Sequence, residues 1–418
     1  MLGVLVLLAC LVLGWQTYHR PAIGLGAIGV AFALQCLYGN DQPGLLVAGI
    51  NTYAGDLAAL IVFQAALLRL VARPWRSWGL PTLVALALGL VYGQSFLRGI
   101  LSFGLKAAGL NFRLSFITYA YLLFGLVYFD LKSFQLELKR GMEFLFIFII
   151  GVVLVRWFTV ATGLYVNTTW GTSTGSDVKI PIRVILSFET ILIAQISIIW
   201  MVWRDHSRAA WLGILVVFFL QWRSVWLALI FGGIYLFYWN FRQKSEWKIN
   251  FGMIAIAGVA LLLVIIAFTI SPALKATFEG SATNESTWVW RVAGWVAALA
   301  PDQMPGWAWL IGKPFGSPST RWVEGRVTDL SYHSHYVAIL VQTGILGLAL
   351  WLFLWVMAAR RIEGRPWAAI IVLTQALYGV AYPVEVTQGF ILAMALALPR
   401  SEGSLLPSKK NSLDILKE

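Results

Sequence analysis

Charge is what this sequence holds least of: only 12% of its 418 residues are Asp, Glu, Lys or Arg, where a water-soluble domain carries roughly a quarter. That deficit excludes a fold whose surface is solvated mainly by water. Cysteine is scarce as well. Cys10 and Cys36 both sit in apolar runs, with neither a disulfide framework nor metal-ligand spacing around them. There is no Gly-x-x-x-x-Gly-Lys-Ser/Thr phosphate loop, no Asp-x-Asp and no His-Glu-x-x-His. A soluble-nucleotide enzyme is therefore disfavoured, and no metal or cofactor is expected. The first apolar run begins at Leu2 with no basic leader and no small-residue cleavage site, so targeting is expected to come from the helices themselves. The Asn-x-Ser/Thr matches at Asn167 and Asn284 carry no weight without a glycosylating pathway.

What the sequence has in abundance is apolar residues, 59% of the total. Runs of close to 20 recur along its length, which is what a helix needs to cross ~30 Å of hydrocarbon. Spans are predicted at 2–14, 22–38, 54–71, 80–97, 114–129, 142–160, 183–203, 209–221, 224–239, 250–271, 336–358, 367–382 and 386–398. The shortest, 2–14, 209–221 and 386–398, fit tilted, re-entrant or partly interfacial segments as well as full crossings. The expectation is an all-α, polytopic bundle of 12–13 transmembrane helices, a single membrane domain over 1–418 with one large outer loop at 272–335.

The net charge of +12 does not point to nucleic acid, because the basic residues cluster in short inter-helix loops. Arg73 and Arg76; Lys132, Lys139 and Arg140; Arg204 and Arg208; Arg242, Lys244 and Lys248; and Arg360, Arg361 and Arg365 all fall on one side, which the positive-inside rule makes cytoplasmic. The loops at 161–182 and 272–335 then face outward. Arg98, Lys106 and Arg113 run against this pattern.

Chemistry concentrates on the outer side. His333 and His335 close the long loop just before the span at 336–358. An imidazole at a helix entrance suits proton transfer near neutral pH beside a lipid-linked substrate; the competing reading is a pair of interfacial polar residues without a catalytic role. Arg223 interrupts an otherwise apolar stretch from Ala209 to Trp239, and Arg291 follows Trp288-Val289-Trp290. A guanidinium at that depth calls for a cavity, a carboxylate or an anionic ligand, unless Arg223 is a turn residue snorkelling to the headgroups. Arg321 and Arg326 read as solvated loop charges within reach of a phosphate.

Four stretches resemble one family. Gln221-Trp222-Arg223-Ser224-Val225-Trp226-Leu227-Ala228 is similar to a Ser-Arg element opening a helix, with the neighbours reordered. Arg291-Val292-Ala293-Gly294-Trp295 is similar to an arginine and tryptophan early in a large outer loop. Leu310-Ile311-Gly312-Lys313-Pro314-Phe315-Gly316 resembles a glycine-rich turn with one glycine missing. His333-Ser334-His335-Tyr336, running into Val341-Gln342-Thr343-Gly344-Ile345-Leu346-Gly347, resembles His-Asn-x-Tyr followed by a Gly-x-x-Gly helix, with Ser334 in place of the asparagine. Together they resemble the O-antigen ligase and polysaccharide polymerase superfamily of bacterial integral membrane glycosyltransferases, over roughly residues 180–400.

The resemblance implies a metal-independent, inverting glycosyltransferase at the periplasmic face of the inner membrane. Its donor would be a glycan on undecaprenyl diphosphate, and its acceptor a lipid A-core sugar or a lipid-linked repeat unit. It implies His333 as the base, Arg223 and Arg291 as diphosphate ligands, and Arg321, His335, Tyr336 and Trp295 as further candidate substrate contacts. The alternative class is a transporter or flippase for an anionic lipid or solute. Against it stand the lack of an internal repeat and the scatter of the intramembrane acids Asp56, Glu189 and Glu385.

Overall fold

A computed structural model describes residues 2–39, 42–47, 49–162, 184–203, 207–220, 222–242, 286–323, 326–328, 332–360, 366–384 and 386–397. Among them are thirteen α-helices: α1 Leu2–His19, α2 Pro21–Tyr38, α3 Ala54–Ala72, α4 Leu80–Tyr128, α5 Lys132–Ala161, α6 Ser187–Trp203, α7 Ser207–Phe219, α8 Arg223–Arg242, α9 Ser286–Ala298, α10 Gly306–Ile311, α11 His335–Arg360, α12 Pro366–Ala381 and α13 Val386–Ala397. Two antiparallel pairs of three-residue strands accompany them, β1 Leu45–Val47 with β2 Ile50–Thr52 and β3 Arg321–Val323 with β4 Arg326–Thr328. The protein is thus an all-α membrane bundle. Five of the described helices are long and apolar enough to cross a bilayer, and six shorter apolar ones accompany them. The predicted span 250–271, most of the outer loop at 161–182, the basic residues Arg204, Lys244, Lys248, Arg361 and Arg365, and Gln221, Asn167, Asn284 and Glu385 lie outside the described residues.

The spans predicted at 80–97 and 114–129 are the two arms of α4, which reverses direction at Gly104, whose φ is 82°. Aromatic pairs zip the arms together: Phe96 stacks on Phe112 at 4.7 Å, and Tyr92 meets Phe112 at 6.2 Å and Tyr119 at 5.9 Å. Each arm of about 24 residues reaches roughly 36 Å, more than the hydrocarbon core requires. That surplus of roughly 6 Å clears only the residues next to the Gly104 tip, Lys106 among them, while Arg98 and Arg113 lie farther along the arms and are held by protein partners. Arg98 donates from Nη2 to the carbonyls of Ile311 (2.8 Å) and Gly312 (3.0 Å). Arg113 pairs with Asp56 and lies over the Tyr53 ring at 4.2 Å. At the opposite end of α4, Asp130 receives Arg73 at 2.7 Å and Arg69 at 3.6 Å, drawing two of the predicted cytoplasmic loops to the same end of the bundle.

Two elements differ from expectation. Helix α5 starts ten residues before the predicted span at 142–160, so Lys132, Lys139 and Arg140 ride on helix instead of a loop. The cause is visible in the spacing: Phe134, Leu138, Met142 and Phe146 recur every fourth residue and are all buried. The outer stretch 272–335, expected as one hydrophilic loop, contains α9, α10 and the β3–β4 hairpin. Trp295, Leu299 and Tyr332 pack there against a small core of Ala298, Met304, Ala308, Val337 and Val341.

The C-terminal helix α13 is twelve residues long and buried on every side from Phe390 to Leu396. It is an interior helix, not a lipid-facing span, in keeping with its doubtful length. It approaches α4 closely through small residues, Gly389 against the Thr118 carbonyl and Gly125 against Ala393. A buried amide network ties it in: Gln195 and Gln388 exchange hydrogen bonds at 2.8 and 2.9 Å, Gln375 donates to the Gln388 carbonyl at 2.9 Å, and Trp355 donates to Gln375 at 3.1 Å.

The segment 311–316 is wedged between the α4 hairpin and α11. Helix α11 breaks at Gly344 (φ 68°), and Gly312 (φ 74°) seats just before that break: Gly312 faces the Gln342–Thr343 peptide and Gly344 the Leu310–Ile311 peptide, neither with room for a Cβ. Lys313 donates its backbone N–H to the Val341 carbonyl at 2.7 Å, and Ser95 donates to the carbonyls of Gln342 (2.8 Å) and Lys313 (3.2 Å). Gly312→Ala and Gly344→Ala should each destabilise the purified protein by at least about 2 kcal/mol, from overlap and left-handed strain. Gly26→Ala, which meets nothing within 4 Å, should be neutral or mildly stabilising. Thermal unfolding in detergent distinguishes these outcomes.

Candidate functional site

The site is built where α8 and α11 begin, α12 ends and α9 crosses them. His333 immediately precedes α11 and is the one non-glycine residue with positive φ among those described, at 46°. A left-handed backbone costs an L-residue roughly 1–2 kcal/mol, and it persists only where its surroundings enforce it. Those surroundings are specific. Trp295 on α9 donates from its indole N–H to the Tyr332 carbonyl at 2.6 Å, fixing the residue ahead of the turn. Ser334 is buried and donates to the Gly379 carbonyl at 3.4 Å, while its own carbonyl accepts the first α11 bond from Ala338 at 3.0 Å. The imidazole itself meets the edge of Trp290 at 5.6 Å.

Arg291 belongs to the same helix as Trp290 and Trp295. Its guanidinium lies over the Tyr382 ring at 4.7 Å, and Tyr382 stacks on Tyr378 at 5.3 Å and meets Trp222 edge-on at 6.4 Å. Trp222 donates to the Ile185 carbonyl at 3.1 Å, anchoring the residue before Arg223 against the start of α6. Arg223 is exposed at the first position of α8, within electrostatic reach of both Arg291 and Tyr382. Beside it the Ser224 hydroxyl is buried without a hydrogen-bond partner among the described residues. Arg291 therefore links the cluster: it lies within electrostatic reach of both His333 and Arg223, with Tyr382 beside the two guanidiniums.

The remaining sequence candidates divide differently. Arg321, expected as a solvated loop charge, is instead buried at 4% exposure. It donates to the carbonyls of Gly294 (3.1 Å) and Ser319 (3.0 Å) and lies over Tyr332 at 5.0 Å. It clamps the β3–β4 hairpin to α9, and its charge still reaches His333. The side chain of Arg326 lies outside the described residues. His335 is buried with Nδ1 accepting from the Val384 N–H at 3.1 Å and its ring caged by Trp351 and Trp355. Tyr336 donates to the Ala376 carbonyl at 2.7 Å. The hydrogen bonds of Trp295, His335 and Tyr336 thus hold the frame of the turn, binding α11 to α9 and α12. No group of three or more metal-ligating side chains occurs among the described residues.

Tyr378, Tyr382 and Trp290 were not singled out from sequence. The signal for the tyrosines is their i,i+4 spacing in the last turn before Pro383, which stacks both rings on one helix face.

Burial, reinforced by the charges of Arg291 and Arg321, pushes the His333 imidazole from its ordinary 6.5 down to about 4. It is therefore a neutral, proton-accepting ring at pH 7. Because the unfolded chain protonates this histidine first, its contribution to stability is complete above pH 6.5 and is lost as pH falls from there toward 4. An NMR titration should give a midpoint near 4 for this ring, and Arg291→Gln should raise it toward 6.5 by removing one of the two repelling charges.

Comparison of the chain with protein-family models, with curated proteins and with solved structures finds no match.

Proposed function

We propose that this chain is a metal-independent, inverting glycosyltransferase that moves a glycan from undecaprenyl diphosphate onto an acceptor sugar, as an O-antigen ligase or polysaccharide polymerase of the bacterial inner membrane working at its periplasmic face. The observation that carries this reading is a neutral imidazole, held on a left-handed turn, near the Arg291 guanidinium on α9, which in turn lies within electrostatic reach of Arg223 at the start of α8. In the reaction, His333 takes the proton of the acceptor hydroxyl, and the resulting oxygen nucleophile bonds to the anomeric carbon. The bond from that carbon to the diphosphate oxygen breaks from the opposite face, which inverts the centre. The electron pair leaves with undecaprenyl diphosphate, whose growing charge Arg291 and Arg223 neutralise.

The N-terminus of α8 adds its partial positive charge beside Arg223. The polyprenyl chain lies along the exposed apolar helices, and the folded outer segment contributes Arg291 and the turn at His333. Arg321, Trp295, His335 and Tyr336 hold this arrangement in place.

With the protein reconstituted beside a defined undecaprenyl-diphosphate glycan and its acceptor, His333→Ala should lower transfer by about 10²–10⁴-fold while leaving thermal stability near wild type; full activity overturns the proposal. The acid limb of kcat/KM should bend near pH 4 and not near 6.5, following the imidazole. Arg291→Lys, which keeps charge but loses the forked geometry, should weaken donor use by about tenfold or more. Incubation with lipid-linked repeat units alone separates the two activities, since only a polymerase lengthens them without a core acceptor.

A further inference from the structure

At the tip of the α4 hairpin, a groove of about 540 Å³ opens between the hairpin and the segment that follows α9. It shares no lining residue with the cluster around His333. Its polar lining is of both signs: Arg98 and Lys313 supply two cations and Asp302 one carboxylate. Arg98 is held in place, its Nη2 on two carbonyls and its Cζ 5.4 Å from the Trp307 ring. Lys313 is anchored only through its backbone, and its ammonium makes no ion pair with Asp302 or with any other described residue, although the two feel each other's charge. The groove therefore keeps a positive wall and a negative wall apart, with space between them.

The rim is apolar. Leu101, in the lining, is 87% exposed, and Leu97, one helical turn farther from the hairpin tip and so toward the hydrocarbon layer, is 62% exposed. A ligand matched to this site needs an anionic group, a cationic group a few atoms away and an attached hydrocarbon chain. A purely anionic headgroup would satisfy the cations but bring like charge up to the Asp302 carboxylate.

We propose that this groove binds the phosphoethanolamine headgroup of a membrane phospholipid, its phosphate on Lys313 and Arg98 and its ammonium on Asp302, with the acyl chains against the exposed leucines of the hairpin. Burial lowers the Lys313 ammonium below the ordinary lysine range, and a bound phosphate would reverse that shift. The site stands independently of the catalytic reading.

The test is native mass spectrometry of the full-length protein in detergent, offered dioctanoyl phosphatidylethanolamine, dioctanoyl phosphatidylglycerol and soluble O-phosphoethanolamine. The wild type should retain the ethanolamine lipid over the glycerol lipid by about tenfold, the worth of one charge-assisted contact. Asp302→Asn should bring that ratio close to one without weakening the glycerol lipid, and Lys313→Gln should weaken both lipids. Equal or better retention of phosphatidylglycerol by the wild type, or an unchanged ratio in Asp302→Asn, overturns the proposal. Soluble O-phosphoethanolamine binding as tightly as the lipid also overturns it, making the occupant a free metabolite. Retention of phosphatidylglycerol by Asp302→Asn shows that the variant has folded.

Discussion

The contact on which the rest of this structure depends is backbone against backbone: the segment 311–316 pressed between the α4 hairpin and the break in α11. Gly99 faces the Phe315 carbonyl, Gly316 faces the chain at Ala107 and Ala108, Gly312 faces the Gln342–Thr343 peptide and Gly344 the Leu310–Ile311 peptide. Side chains at these positions would hold the surfaces apart by more than the hydrogen bonds of Ser95 and Arg98 can span. Because the segment connects α10 to the strands that precede α11, its seating determines where the extramembrane layer sits on the bundle. In a lipid environment, where apolar burial contributes little to helix association, such close packing and the hydrogen bonds it permits supply the main cohesion.

From that seat the frame of the site follows. Helix α9 is fixed by Arg321 below and by Trp295 against Tyr332. The turn at His333 is fixed in turn by Ser334 and by the hydrogen bond from Val384 to His335. That frame sets Arg291 within electrostatic reach of His333. The rigid residues give their hydrogen-bonding capacity to the fold and leave the imidazole at 333 uncommitted. A ring held neutral by burial and by like charge is unprotonated and free to accept at neutral pH, and an anionic group bound on Arg291 would offset the like charge and restore part of its basicity.

Much of this was legible in the sequence, for physical reasons that differ by element. The spans at 22–38, 54–71, 80–97 and 114–129 were readable because long apolar runs leave no other solution in a bilayer. The early start of α5 was hidden by its charges, although the four-residue spacing of Phe134, Leu138, Met142 and Phe146 reports it. The fold inside 272–335 was hidden because short helices of six and thirteen residues carry little periodic signal, and their stability comes from contacts with α11. Motif order, spacing and a shared outer location single out His333, Arg291 and Arg223, and Arg291 lies within electrostatic reach of the other two. The division of labour around them was not legible: Arg321, His335 and Tyr336 look equally reactive in sequence, and only burial and hydrogen-bond partners show that they hold the scaffold. Tyr382 escaped notice because an aromatic before a proline is common in helices that line a bilayer.

The C-terminal helix α13 has a bearing on biogenesis. At 1.5 Å per residue its twelve residues rise roughly 18 Å, short of a bilayer, and the Gln388 amide would lie unsatisfied in lipid. Such a segment cannot be stably handed from the translocon into the membrane as an independent unit. It must wait until Gln195 and the small-residue face of α4 have formed a slot, which makes its incorporation a docking event rather than an insertion.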